Sequence, residues 1–252
     1  MREALSDAAP RAMAVVDPLK VTLVNWPEDQ LDALEVENHP DHPEMGTRTV
    51  TFGRELYIEK EDFREEPIKK FFRLAPGREV RLKGAYIIKC EDFVKDENGE
   101  VVELKCSVDM DSRSGSEGAN RKVKGTLHWV SASENIPFEA RLYEPLMMKE
   151  TEEETAAEAA QSEAEAKAEA DGEENVVSSA TLKTDFLKKL NPNSLEVCHG
   201  YLSKALGEAN VGDTYQFLRV GYFCKDQDST PEMPVFNRVV GLKDTFAKQV
   251  KA

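Results

Sequence analysis

The amino-acid sequence predicts a mainly β protein built from β-barrels with a few short helices. Three observations carry that prediction. Apolar and polar residues alternate over many short runs, turn signals recur at close spacing between them, and helical periodicity is confined to short stretches. No solenoid period appears, and the strands do not alternate with long helices as a βαβ sheet requires. At 252 residues the chain can form two modest domains, each burying its own core.

Taken in order, AMAVVDPLKVTLVNW reads as a strand entry, an Asp17-Pro18 turn and a strand. Leu19, Val21 and Leu23 face one way on it, and Lys20, Thr22 and Val24 the other. Residues 37–46 (ENHPDHPEMG) form a proline-rich loop, followed by strands at 48–52 and 55–58. Asp62 or Glu66 begins a short helix with Pro67 in its first turn. The Pro76-Gly77 turn leads into a strand on which Arg81 and Lys83 share a face. Residues 85–94 and 101–108 form a hairpin around Asn98-Gly99, a pair that tolerates positive φ. A polar loop at 111–120 precedes strands at 122–130 and 137–143. Strands at 195–201, 214–224 and 235–241 and short helices at 184–190 and 244–251 complete the chain.

The formal net charge of −15 is a misleading average. Residues 150–174 hold eleven acids and one base, which accounts for −10 of it. That segment is rich in Ala and Glu but has no apolar face to dock, so it reads as a solvated linker, with an acidic mimic of nucleic acid as the alternative. Residues 63–89 instead carry eight basic residues against three acidic ones. A near-neutral body with one basic patch is compatible with nucleic-acid binding.

Enzyme motifs are lacking: GxGxxG, a phosphate loop, GxSxG and HExxH do not occur. His39 and His42 each precede a proline with no cysteine near, which points to loop structure rather than a metal site. His128, beside Trp129, reads as a packed strand residue. Cys90, Cys106, Cys198 and Cys224 lack CxxC spacing and read as reduced thiols of a cytoplasmic protein. The N-terminus has no apolar signal core, and no apolar run approaches the ~18 residues that a membrane span needs. Unpaired bases are read by planar multidentate donors and by stacking. Arg73, Arg81, Lys83, Phe71 and Phe72 supply such groups, with Lys69 and Lys70 adjacent as possible phosphate or base contacts. The alternative is that the phenylalanines seal a barrel end and the cations form a solvated rim.

The segments APRAMAVVDPLKVTL from Ala9, HPEMGTR from His42, DFREE from Asp62, GREVRLKGAYIIK from Gly77, RKVKGTLHWVSA from Arg121 and VFNRVVGLKDTFAK from Val235 resemble the glutaminyl-tRNA synthetase family in its C-terminal anticodon-binding region. The related glutamyl enzymes are the nearest confusable relatives. The resemblance implies two β-barrels of ribosomal-protein-like fold. The proximal one would take 1–46 and 134–252, with the acidic insert at about 149–176, and the distal one 47–133. It further implies a tRNA(Gln) anticodon loop as partner, together with a catalytic domain of the same polypeptide. ATP would bind in that domain, no cofactor or metal would bind here, and the parent would act as a cytoplasmic monomeric glutamine–tRNA ligase. The family's HIGH and KMSKS motifs do not occur in this sequence, so a piece of a longer synthetase without catalytic residues is expected.

By the same resemblance Arg11 and Gln216 match contacts to the middle anticodon base, Arg73 the reader of a third-position guanine, and Arg81 the residue facing the first base. Arg219 follows Gln216 by three, so a regular strand would aim the two at opposite faces, and both meet RNA only near a strand end or bulge. Lys70 and Phe72 depart from the best-known bacterial pattern beside Arg73. A hinge salt bridge is the alternative role for Arg11. A free-standing RNA-binding barrel and a protein-interaction module using the acidic segment are the rival classes.

Overall fold

The computed structural model describes residues 2–148, 187 and 189–242. It divides into two compact units, Met1–Arg141 with Val197–Ala252, and Leu142–Glu196. Helix α1 (Arg2–Ala8) opens the chain. The strands follow as β1 (Arg11–Ala12), β2 (Ala14–Val15), β3 (Pro18–Leu23), β4 (Asp32–Glu37), β5 (Thr47–Phe52), β6 (Glu55–Glu59), β7 (Glu79–Leu82) and β8 (Ile87–Lys95). Then come β9 (Val101–Asp109), β10 (Thr126–Leu127), β11 (Val130–Ser131), β12 (Asn135–Tyr143), β13 (Leu195–Ser203), β14 (Thr214–Phe217), β15 (Gly221–Lys225) and β16 (Val235–Gly241). No helix among the described residues is long and apolar enough to cross a membrane.

One seven-stranded sheet runs β1-β14-β15-β16-β12-β13-β2, a second runs β10-β7-β8-β9-β3-β6-β11, and β4 pairs with β5 alone. The larger sheets curl, one into a nearly closed barrel and the other into a half-barrel. In each, the two edge strands are neighbouring pieces of one segment. Met13 alone separates β1 from β2, and His128-Trp129 separate β10 from β11, so in each sheet one short run of chain supplies both edges.

The period-2 pattern of β3 holds, with Leu19, Val21 and Leu23 buried and Val24 exposed. The β8–β9 hairpin holds too. Its tip bends at Gly99, φ 82°, while Asn98 keeps negative φ. Cys90 and Cys106 meet there as register partners, both buried and both free thiols. The core gathers these strands with Trp26, Phe52, Tyr86 and Trp129, whose rings meet edge-on or tilted at 4.9–5.3 Å. Each such buried side chain contributes about 1.5–3 kcal/mol over its exposed state. His128 is packed as expected, its Nε2 3.2 Å from Glu59 Oε1, and Glu59 also accepts from the Val16 and Asp17 amides.

Four expectations change. The short helix expected to begin at Asp62 or Glu66 gives way to a 3-10 turn at Lys60–Asp62 and an irregular loop. The loop backbone pairs with itself instead, Arg64 N donating to Leu74 O and Leu74 N to Asp62 O, with Lys70 at φ 67°. That closure buries Phe71 and Leu74, and core packing overrides local propensity. Strand β4 is additional, with Leu34 and Val36 inward between exposed Glu35 and Glu37. Residues 122–130 hold two short strands rather than one, because the chain crosses between the sheet's edges at His128-Trp129. Residues 214–224 are a hairpin, broken where Val220 N bonds Phe217 O and Arg219 takes φ 66°.

The strand order also divides the N-terminal segment between the sheets. β1 and β2 belong with β14 and β13, whereas β3 lies between β9 and β6. In the unit Leu142–Glu196, the described residues make a short ladder, with Met147 bridging Leu190 and Glu144 N donating to Ser194 O. The predicted helix at 244–251, most of that at 184–190 and the whole acidic segment at 150–174 lie outside the described residues.

Candidate nucleic-acid interface

Arg11 and Gln216 come from opposite ends of the chain and meet as register partners in the parallel pair β1–β14. The Gln216 amide donates to Pro10 O, and Arg11 N to Asn38 O, which fixes both backbones. In-register residues of a parallel pair project to the same face. Here that face is opposite to the one on which Ala12 and Phe217 enter the core. Gln216 Oε1 is buried without a hydrogen-bond partner, an acceptor held ready but unsatisfied.

The turn that ends β14 carries Arg219 to a fully buried carboxylate. Its Nη1 and Nη2 bond Asp62 Oδ2 and Oδ1 at 2.7 and 2.6 Å, a bidentate fork. Arg73 reaches the same carboxylate, with Nε 3.4 Å from Oδ1, while its Nη1 bonds Glu61 Oε1 at 2.9 Å. Burial acts to lower the Arg219 pKa, but the Asp62 bond and the charges of Asp62, Glu61 and Glu59 outweigh it, so the guanidinium is held charged. Arg11, Gln216, Arg219 and Arg73 are therefore joined in series through one pairing, one turn and one buried acid. Asp62 is the member that the sequence did not single out. Its only local signal is its place in DFREE, where it also resembles a helix start.

Arg81 is placed differently. Its Nη1 donates to Ser112 O at 2.9 Å, and its Nη2 to Ala119 O and Arg121 O at 2.9 and 3.3 Å, so the fork clamps the 110–121 loop. Lys83 is exposed just beyond β7, its backbone bound to Leu127 and Trp129. Exposed Lys69 and Lys70 sit on the loop before Arg73.

Between that loop and the 122–125 segment lies an open groove of about 650 Å³. Lys70, Arg73, Arg78, Lys89, Lys122 and Lys124 line it against one acid, Glu79. Glu79 is itself engaged by Arg121 at 2.7 Å. Phe71 is buried beneath, whereas Phe72 is half exposed with Lys124 Nζ 5.3 Å above its ring. Gly125 permits this closeness, since a Cβ there would stand 2.2 Å from Phe72 O. Lys122 and Lys124 join the patch only through the fold; the sequence signal was their alternation in RKVKG. His39 is a loop anchor, buried, with Nε2 2.9 Å from Ser6 O. Among the described residues no cluster of three or more His, Cys, Asp or Glu could hold a metal.

Residues 9–109 and, separately, 126–226 match families described as tRNA synthetases class I (E and Q), anti-codon binding domain. The chain is 46% identical over 247 residues to a glutamine–tRNA ligase of Clostridium perfringens, covering 98% of this chain and 40% of that protein. It is also 46% identical to the enzyme of that name from Nitrobacter hamburgensis, over 100% of this chain and 40% of the relative. The corresponding figures for Vibrio vulnificus are 43%, 98% and 40%. The chain thus spans about 40% of the length of these relatives.

Proposed function

Because the chain belongs to the anticodon-binding domains of the class I (E and Q) tRNA synthetases, we propose that it selects glutamine tRNA by its anticodon. The observation that carries this reading is the connected set Arg11–Gln216 and Arg219–Asp62–Arg73. Arg11 and Gln216 would serve the middle uridine, where Gln216 Oε1 accepts the base N–H and Arg11 donates to a base oxygen. Arg73 would donate to the two acceptors on one edge of a third-position guanine. Arg81, or Lys83 beyond it, would face the first base, with Phe72 as a stacking surface. Lys69, Lys70 and the groove cations would hold phosphates, so affinity falls as salt rises.

In this reading the parent protein is a cytoplasmic, monomeric glutamine–tRNA ligase that binds ATP outside this region. Anticodon binding energy would then be coupled to a distant catalytic site. The test is Arg73→Ala against anticodon stem-loops carrying each base at the third position. Binding to the glutamine stem-loop is expected to weaken by ~1–3 kcal/mol, with the preference for guanine relaxed. Equal losses for all four bases would make Arg73 a phosphate contact, and no preference for glutamine over glutamate anticodons in the unsubstituted chain would overturn the tRNA assignment.

A further inference from the structure

Strand β5 (TRTVTF) alternates cleanly. Thr47 and Thr49 face outward and bond Glu35, while Val50 and Phe52 are buried in the core. Arg48 is the last member of the inward row, opposite buried Val36 in register. A guanidinium thus stands where the pattern calls for an apolar side chain. Its Nη1 donates to Asn38 Oδ1 at 2.8 Å and lies 3.5 Å from Glu37 O. Its Nη2 is buried with no hydrogen-bond partner, and no carboxylate among the described residues pairs with it. Burial pushes its pKa down to about 10, so it remains charged at neutral pH.

Arg48 lines a cavity of about 240 Å³ with Arg11, Asn38, Pro10, Leu206 and Tyr215. Two alanines complete the lining, and no acidic residue belongs to it. Gln216 is not among the lining residues, but its register partner Arg11 is, so the cavity adjoins the middle-base pair. At about 240 Å³ it lies below the ~300–1,000 Å³ typical of a small-molecule site, a size that suits a small ion. A buried unpaired cation is costly, and a burial site that presents two arginines and an amide without an acid is matched to a small oxyanion.

We propose that the Arg48 cavity is a phosphate-binding site, with Arg48 Nη2 and Arg11 as donors and Asn38 holding the Arg48 fork in place. The phosphate comes either from an RNA backbone or from solution. Neither source depends on which base Arg73 or Arg81 reads.

The experiment measures thermal unfolding of the whole chain in inorganic phosphate and in chloride of equal ionic strength. Phosphate is expected to raise the melting temperature by about 2–4 °C at saturation, beyond chloride. Arg48→Met should abolish that phosphate response. It should also equal or exceed the unsubstituted chain in phosphate-free buffer, since it removes a desolvated unpaired charge. Arg48→Lys, which keeps the charge but not the fork, should retain a weakened response. A phosphate response that survives Arg48→Met, or the lack of any response in the unsubstituted chain, overturns the proposal.

A second arm uses an anticodon stem-loop RNA. An approximately tenfold loss on Arg48→Met, equal for every anticodon base, identifies a backbone phosphate, as expected for one lost charge-assisted contact. Unchanged RNA affinity with the phosphate response intact identifies free phosphate. Because the first arm contains no RNA, failure of the anticodon reading and failure of this site are distinguishable.

Discussion

Arg73 and Arg81 flank the Pro76-Gly77 turn, and their guanidinium groups have opposite surroundings. Arg73 lies against Asp62 and Glu61, where charge is matched by charge. Arg81 lies against three backbone carbonyls of one loop, and its two terminal nitrogens are committed there. The carboxylates orient Arg73 at the rim of a groove, whereas the carbonyls make Arg81 part of a wall. Two arginines that look equivalent in sequence therefore differ in what holds their donors, carboxylates in one case and backbone carbonyls in the other. An arginine reads a base only if its fork is both held and available.

The largest test of that contrast is Asp62. Asp62→Ala leaves two guanidinium groups around a vacated buried site and should destabilise the fold by about 3–5 kcal/mol in urea unfolding. Asp62→Asn keeps the shape and should cost less, while loosening discrimination at the third anticodon base. If Asp62→Asn changes stability but leaves base preference intact, Asp62 ties the barrels together without orienting Arg73.

Next comes Arg81→Ala, expected to cost about 1.5–3 kcal/mol through its charge-assisted bonds. Amide exchange should accelerate in residues 110–121. A selective loss of first-base preference with unchanged loop protection would break the contrast, because Arg81 would then be a reader like Arg73. Smaller still, Lys122→Ala and Lys124→Ala should each lower the salt slope of RNA binding by about 1, with the same loss for every anticodon sequence. Base-dependent losses would extend reading to the groove floor.

The smallest effect concerns α1. His42 bonds Asp7 Oδ1 and Glu44 Oε1 at 2.9 and 2.7 Å, and both bonds raise its pKa above the ordinary 6.5. Asp7 is lowered in turn by His42. The His42 contribution is therefore complete below the ordinary imidazole value and fades as pH rises through the elevated one. The Asp7 contribution fades only as acid titrates Asp7 below its ordinary value. Amide protection in α1 should accordingly decline from pH 6 to pH 9, and His42→Gln should flatten that profile. An unchanged profile in His42→Gln would assign the anchoring to His39 alone.

Strand content was legible because β3, β5 and β9 alternate with a strict period of two, and because Gly99 marks its hairpin tip. Long-range closure was not, since nothing local shows that β10 and β11 sit at opposite edges of one sheet. The loop after Asp62 misled for a related reason. Its helix signals are real, but Phe71 and Leu74 are buried by folding the loop on itself. Among the candidate readers, the strand-period argument made RNA contact by both Gln216 and Arg219 conditional on a strand end or bulge, and Arg219 occupies a turn with φ 66°. What no period encodes is a side-chain partnership such as Arg219–Asp62, which joins residues far apart in sequence.

The pairing of Arg11 with Gln216 also bears on synthesis. β1 is made well before its partner β14, and a similar delay separates β2 from β13. Until those later strands emerge, β1 and β2 lack these strand partners. A nascent chain interrupted before Gln216 can assemble the β8–β9 hairpin and still lack half of the Arg11–Gln216 pair. The Arg11–Gln216 pair therefore forms only after the strands from β2 to β13 have been made.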